Sequence, residues 1–278
     1  MREIASGVFL ENKYPGLRLG AVAGTRGLLL IDAPLRTEDG REWLGALAGR
    51  GRPRALALLD HHLDRALGAR GIDLPLVAHD HTRSAIAAWP DAFKGAAAPI
   101  GAEADRIKRI TGVRKAVPEI TFSDGLEIHL GDRPVHLLHR PGPSAGAIWV
   151  HVPDCDVVFV GDAVTVAEPP FVGEADLEAW IDTLEELRRL AQRGHVPIGS
   201  RDGRVGSDDI TAMIRFLRKI PGRLEKLAGK EQPQEAAAAA AAALLEGFRV
   251  PAARREQARL RLQAGLLRLG GHHPVAGA

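Results

Sequence analysis

The chain has 278 residues, 45% of them hydrophobic, enough apolar material for one large domain or a domain with an appendage. Its 37 basic and 35 acidic side chains leave a formal charge of +2, so bulk electrostatics give no reason to expect nucleic acid or an anionic membrane as partner. Cys155 is the single cysteine, which excludes an intramolecular disulfide and a thiolate zinc cluster. No apolar run reaches the roughly 20 residues that span a bilayer. Met1-Arg2-Glu3-Ile4 lacks the charged start and apolar core of a signal peptide, so a cytoplasmic location is expected.

In chain order, Gly27 to Asp32 is a short apolar run stopped by Pro34, and Arg54 to Leu59 and Leu74 to Ala78 are two more. Such runs suit strands covered on both faces. Glu42 to Leu47 between the first two reads as a helix, and strand–helix–strand favours an α/β layer structure. Leu126 to Leu130 alternates as a half-buried strand does. Val135 to His139, Ala147 to Val152 and Val157 to Val160 follow, with Gly131-Asp132 and Pro153-Asp154 as turn signals. The close spacing predicts hairpins and an antiparallel portion. The segment from Pro90 to Pro118, with Trp89, Phe93 and Ile100, is expected to cover one side of a cleft.

Helices dominate the rest. Leu177, Trp180, Ile181, Leu184, Leu187 and Leu190 recur at helical spacing within Glu174 to Arg193. Ile210, Met213, Ile214, Leu217 and Ile220 predict another helix, ended before Pro221. Alanine-rich Gln234 to Glu246 and Pro251 to Leu269 complete the set, with a frayed tail from Gly270. We expect one domain over residues 1–205 and a helical extension over 206–278 packed on it.

Polar chemistry concentrates in Leu59-Asp60-His61-His62-Leu63-Asp64-Arg65-Ala66-Leu67-Gly68, at the end of a predicted strand. Two adjacent histidines flanked by acids most often form a solvated turn. The surrounding landmarks change that reading. The segment resembles the signature Thr-His-x-His-x-Asp-His-x-x-Gly of the metallo-β-lactamase superfamily. Arg140 to Gly146 is similar to that family's Pro-Gly-His loop, Val158 to Asp162 to its strand ending in Gly-Asp, and Val196 to Ser200 to its last histidine-bearing turn. With Gly27 to Asp32, the landmarks occur in family order over roughly residues 7–205. The resemblance implies an α/β (α+β) fold, a four-layer αββα sandwich with its site at one edge, here followed by the C-terminal helices.

In this family two metal ions, commonly zinc or iron, activate a hydroxide that attacks an ester, amide or phosphodiester. The resemblance maps the first signature His onto Asp60, the second onto His62, the signature Asp onto Asp64 and the last signature His onto Arg65. The middle-loop His falls on Pro143, the bridging Asp on Asp162 and the final His on Ser200. Only His62, Asp64 and Asp162 match the family's ligands. Proline offers no donor, and a guanidinium repels a cation, whereas a catalytic zinc site needs three protein ligands. The metal expectation is therefore none, or one divalent ion (zinc, iron or manganese).

Asp60, Asp64 and Arg65 are the family-site positions where altered chemistry would reside. Without a cation, crowded carboxylates raise one another's pKa. Arg65 either turns in against Asp64 or Asp162 to supply the missing charge, or points outward on its helix. His61 is expected to face away from His62, and His139 and His195 to be strand residues. Ser200 has no base partner, and Cys155 sits among acids that disfavour a thiolate.

The sequence thus supports a protein that has lost most metal ligands. Such a protein is not an ordinary binuclear metallohydrolase; it binds a small molecule in the old cleft or acts structurally in a homo-oligomer. The second reading is a hydrolase of an ester, thioester or phosphodiester with a mononuclear or metal-free site. A third, nucleic-acid binding through Arg249, Arg254, Arg255, Arg259, Arg261 and Arg268, is disfavoured because Glu246 and Glu256 dilute the charge and aromatic residues are scarce.

Overall fold

The computed structural model describes residues 1–14, 16–91, 114–228 and 231–271. Phe93, Ile100 and most of the 90–118 segment expected beside the cleft lie outside the described residues, as does nearly all of the tail. Among the described residues, seven strands form the first sheet in chain order: β1 (Arg2–Ala5), β2 (Val8–Glu11), β3 (Leu19–Gly24), β4 (Gly27–Ile31), β5 (Pro53–Ala57), β6 (Leu76–His79) and β7 (Ile120–Phe122). β1 to β4 pair antiparallel, and β4 to β7 pair parallel. Helices α1 (Thr37–Ala46) and α3 (Asp80–Ala88) follow β4 and β6, and the one-turn α2 (Leu63–Ala66) follows β5.

The second sheet holds β8 (Gly125–His129), β9 (Pro134–His139), β10 (Ile148–Val152), β11 (Val157–Gly161), β12 (Val196–Gly199) and β13 (Gly203–Arg204), in the order β13-β12-β11-β10-β9-β8. β8 to β11 form the antiparallel hairpins that the turn signals predicted. β11 and β12 are parallel, joined through α4 (Leu177–Gln192).

Alternation along the strands builds four layers. Leu29 and Ile31 of β4 meet Val150, Val157 and Phe159 between the sheets. Leu28 and Leu30 point the other way, into a core with Trp43 of α1 and Ile86 of α3. Trp149, Val158 and Val160 face outward from the second sheet onto Trp180, Leu184 and Leu187 of α4. Residues of α5 (Ser207–Leu217), α6 (Ile220–Leu227), α7 (Pro233–Leu245) and α8 (Ala252–Leu269) join that same core, so the C-terminal helices pack directly on the sandwich.

Two helix boundaries differ from the sequence reading. α4 begins at Leu177 because Asp176 caps it, its Oδ1 accepting from Ala179 N at 3.0 Å. Glu174 is left outside the helix. Ile220 opens a new helix, α6, instead of closing α5. Pro221 lies in its first turn, where a missing N–H costs nothing. Strands β1 and β2 were not expected, although every residue of β2 is buried.

Candidate functional site

Two parallel strand pairs, β4–β5 in the first sheet and β11–β12 in the second, end at one edge of the sandwich. Asp32 follows β4, Asp60 and His62 follow β5, Asp162 follows β11, and Ser200 and Arg201 follow β12. Two glycines let the backbone reach this arrangement. Gly68 packs so closely on Pro34 that an added Cβ would lie 1.7 Å from its carbonyl oxygen. Gly161 turns the chain with φ +62 directly before Asp162.

Arg65 points inward and is completely buried. Its NH2 lies 2.5 Å from Asp162 Oδ1, its Nε 3.4 Å from Asp60 Oδ1 and its NH1 3.6 Å from Asp32 Oδ2. NH1 also donates to Ser200 Oγ at 3.2 Å, and that hydroxyl donates to Asp32 Oδ2 at 3.3 Å. Of the two partners anticipated for Arg65, Asp162 is therefore the one it contacts. Asp64 is instead held by Arg201, whose NH1 donates to Asp64 Oδ2 and whose NH2 donates to Asp64 Oδ1 at 3.3 Å. Arg201 Nε and NH2 also donate to the two oxygens of Asp162, each at 2.7 Å. A two-pronged contact of this kind exploits the planar guanidinium fork.

His62 completes the cluster. Its Nδ1 lies 3.1 Å from Asp60 Oδ2 and 3.2 Å from Asp162 Oδ2, while its backbone N donates to Asp60 Oδ1 at 2.9 Å. His62 Nε2 is buried without a hydrogen-bond partner among the described residues. Asp60, His62 and Asp162 can each offer one donor atom to a metal, with those atoms within 4.8 Å of one another. His61 turns away, as anticipated, its Nε2 lying 2.5 Å from Glu174 Oε2.

The electrostatics follow from burial and charge. Burial lifts the Asp32 carboxyl to about 7, against the opposing pull of Arg65. Burial opposes a charged His62, but the Asp60 and Asp162 carboxylates outweigh it and hold the ring at about 10. Burial likewise opposes ionised Asp60 and Asp162, yet both lie below the usual carboxylate range. Arg65 and His62 dominate at Asp60, and Arg201 and Arg65 at Asp162. The result is a balanced set: three paired carboxylates, Asp60, Asp64 and Asp162, against Arg65, Arg201 and protonated His62.

Sequence reading missed Arg201 and Asp32. Arg201 stands one position beyond the family's last ligand, where no motif draws attention to it. Asp32 ends a recognised strand, but its role depends on a left-handed backbone (φ 60) that aims its carboxyl at Leu59 N, 2.9 Å away. His139 is stacked on His79 at 3.8 Å between ring centres, with its Nε2 2.9 Å from Ala145 O. Burial, aided by Asp154, pushes the Cys155 thiol up.

A cavity of about 240 Å³ opens beside Asp162 and Arg201. Arg18, Thr165 and the Pro169-Pro170-Phe171 wall line it, and α8 contributes Arg254 and Arg261. Thr165 is 5% exposed, and its Oγ1 has no hydrogen-bond partner among the described residues. Glu168 accepts from Arg261 NH2 at 3.0 Å and pairs with Arg254 Nε at 2.8 Å, tying α8 to the cleft.

Several known proteins share this architecture. A metallo-beta-lactamase family protein from Thermus thermophilus superposes with a TM-score of 0.65 at 20% identity, covering 97% of this chain and 95% of that one. A metallo-beta-lactamase from Pontibacter korlensis gives 0.62 at 18% identity over 78% of this chain and 97% of its own. The acyl-coenzyme A thioesterase MBLAC2 of Bos taurus and that of Homo sapiens are each 33% identical over 85 residues. That stretch spans 30% of this chain and 30% of either relative. The family profile described as metallo-beta-lactamase superfamily matches residues 20–193, most of the chain. This protein belongs to the metallo-beta-lactamase superfamily.

Proposed function

We propose that the protein is a metal-independent member of its superfamily whose cleft binds a small anionic molecule. The observation that carries this reading is the pair of guanidinium groups, Arg65 and Arg201, which together contact Asp60, Asp64 and Asp162. A divalent ion among these carboxylates would sit beside both cations. Two unit charges 4 Å apart repel by about 4 kcal/mol at an effective dielectric of 20, and a divalent ion doubles that. With Pro143 offering no donor and Arg65 in a ligand position, the residues do not fit a two-metal centre.

The adjoining cavity suits an anion with an apolar part. Arg18, Arg201, Arg254 and Arg261 outnumber Asp162, Glu168 and Asp202 in its lining, and Pro169, Pro170 and Phe171 supply the apolar wall. Nucleic acid is not the favoured ligand. Arg255 pairs with Glu246, Arg259 with Glu256 and Arg268 with Glu174, so these basic residues of α8 offer no free stripe to a phosphate backbone, while Arg254 and Arg261 share Glu168 and face the cavity. No described helix is long and apolar enough to cross a membrane.

A second reading, hydrolysis of an ester, thioester or phosphodiester at a mononuclear site, is favoured by the Asp60–His62–Asp162 donor group and the unpartnered His62 Nε2. The limited likeness to thioesterases points the same way. It requires Arg65 and Arg201, which between them engage both oxygens of Asp162, to yield at least one of those oxygens.

Elemental analysis of untagged protein, after incubation with zinc, iron or manganese, separates the two. The proposal expects no ion whose retention depends on Asp162. An ion lost in Asp162→Ala would overturn it and direct attention to thioester and phosphodiester substrates.

A further inference from the structure

A second group of side chains lies at the opposite end of β11. Asp156 immediately precedes this strand and Asp162 follows it, so its five residues separate the two clusters by about 17 Å. β12 repeats the relation, with His195 before it and Ser200 after it. His151 of β10 and His195 have ring centres 5.4 Å apart, and His195 Nε2 lies 3.5 Å from Asp156 Oδ1. From this juxtaposition we propose that His151, Asp156 and His195 form a binding site for a divalent transition-metal ion of the zinc type.

Each of the three can present one donor atom, and those atoms lie within 4.8 Å of one another. Tetrahedral zinc bonds of about 2.0–2.2 Å place donors roughly 3.4 Å apart, so side-chain rotations of about 1 Å complete the coordination. Two imidazoles and one carboxylate are a donor set that zinc accepts. His151 Nε2 and His195 Nδ1 are both buried with no hydrogen-bond partner among the described residues. Buried ring nitrogens left without a partner are unfavourable, and a metal at His151 Nε2 would satisfy that atom.

Access and field both favour a cation. Asp156 is 58% exposed and His195 17%, which leaves an open coordination position toward solvent. His195 N donates to Leu190 O at the C-terminal end of α4, where the helix dipole presents its negative pole. The backbone holds Asp156 in place: its φ is 54, and its carbonyl accepts from Val196 N at 2.8 Å. His136, paired with His151 across β9 and β10, has its ring centre 5.9 Å away, outside the three-residue donor group. The bound ion would staple the β10–β11 hairpin to the start of β12.

This inference does not depend on how the cleft near Asp162 is read. The test is a cobalt(II) titration of the untagged full chain, followed by visible absorption and calorimetry. His272 and His273 are first replaced by glutamine to remove the tail as a binding site. The proposal expects one cobalt per chain with a tetrahedral spectrum and a raised Tm. His195→Gln and Asp156→Asn should each weaken binding by more than about tenfold, the lower limit for losing even a supporting group at a metal site. Asp162→Ala should leave binding unchanged. Circular dichroism of both ligand variants checks that they fold, and the exposed Asp156 makes its variant the safer one. No cobalt binding, or binding that survives His195→Gln and Asp156→Asn, would overturn the proposal. Cobalt lost only in Asp162→Ala would overturn both this site and the metal-independent reading of the cleft.

Discussion

Arg201 carries two buried carboxylates, Asp64 and Asp162, while only 14% of its own side chain is exposed. Removing one partner of such a group leaves charge without compensation, at a cost of about 3–5 kcal/mol. Arg201→Ala should therefore lower stability by that order in a denaturant titration, and adding Asp162→Asn should restore part of it. A loss below about 0.5 kcal/mol, the level of an ordinary surface change, would contradict the ion-pair assignment. Asp32 gives the cluster a pH signature. Its carboxyl titrates near 3.8 unfolded and near 7 folded, so the folded state holds the extra proton between those values. The stabilisation is fully present below 3.8 and is lost as pH rises through about 7. Relative to Asp32→Asn, the wild-type Tm should fall between pH 4 and pH 7. Parallel Tm curves for the two proteins would show that Asp32 is not held protonated by its surroundings.

Among the elements, the apolar runs that became β4, β6 and β11 were legible because their burial on both faces leaves a continuous hydrophobic stretch, whereas β5 is buried only at Leu56 and Ala57. The helix over 177–192 was legible from its period, but its start was not: the choice of Asp176 as cap is made by a single hydrogen bond. α6 was hidden because proline reads as a terminator until its place in a first turn is known. The connecting turns matter as much as the strands. Gly161 adopts φ +62, and an added Cβ would lie 3.3 Å from Arg65 NH1. Gly161→Ala should cost about 1–3 kcal/mol through backbone strain and push the Arg65 guanidinium aside by a few tenths of an ångström. Thermal unfolding measures the first effect and a crystal structure of the variant the second. An unstrained variant with Arg65 in place would mean that the turn does not position the cluster.

At the scale of the whole molecule, the order of five landmarks identified the sandwich, and the structure places the ends of four of them, at Asp32, Asp60, Asp162 and Ser200, at one edge. The inward turn of Arg65 was one of two outcomes the sequence left open, because a helix position alone does not say which way a side chain faces. Arg201 and the His151–Asp156–His195 group were illegible for a related reason. They are assembled by strand register across β10, β11 and β12, and no local spacing records it. Asp64 and Asp162 are each contacted by guanidinium groups of the chain itself, Arg201 at both and Arg65 at Asp162. The most direct test is metal analysis of the chain carrying Asp156→Asn and His195→Gln, so that the second cluster does not contribute, after incubation with zinc, iron or manganese. A metal-independent cleft holds no stoichiometric ion in this chain, with or without Asp162→Ala. One or two ions per chain that disappear with Asp162→Ala would contradict it.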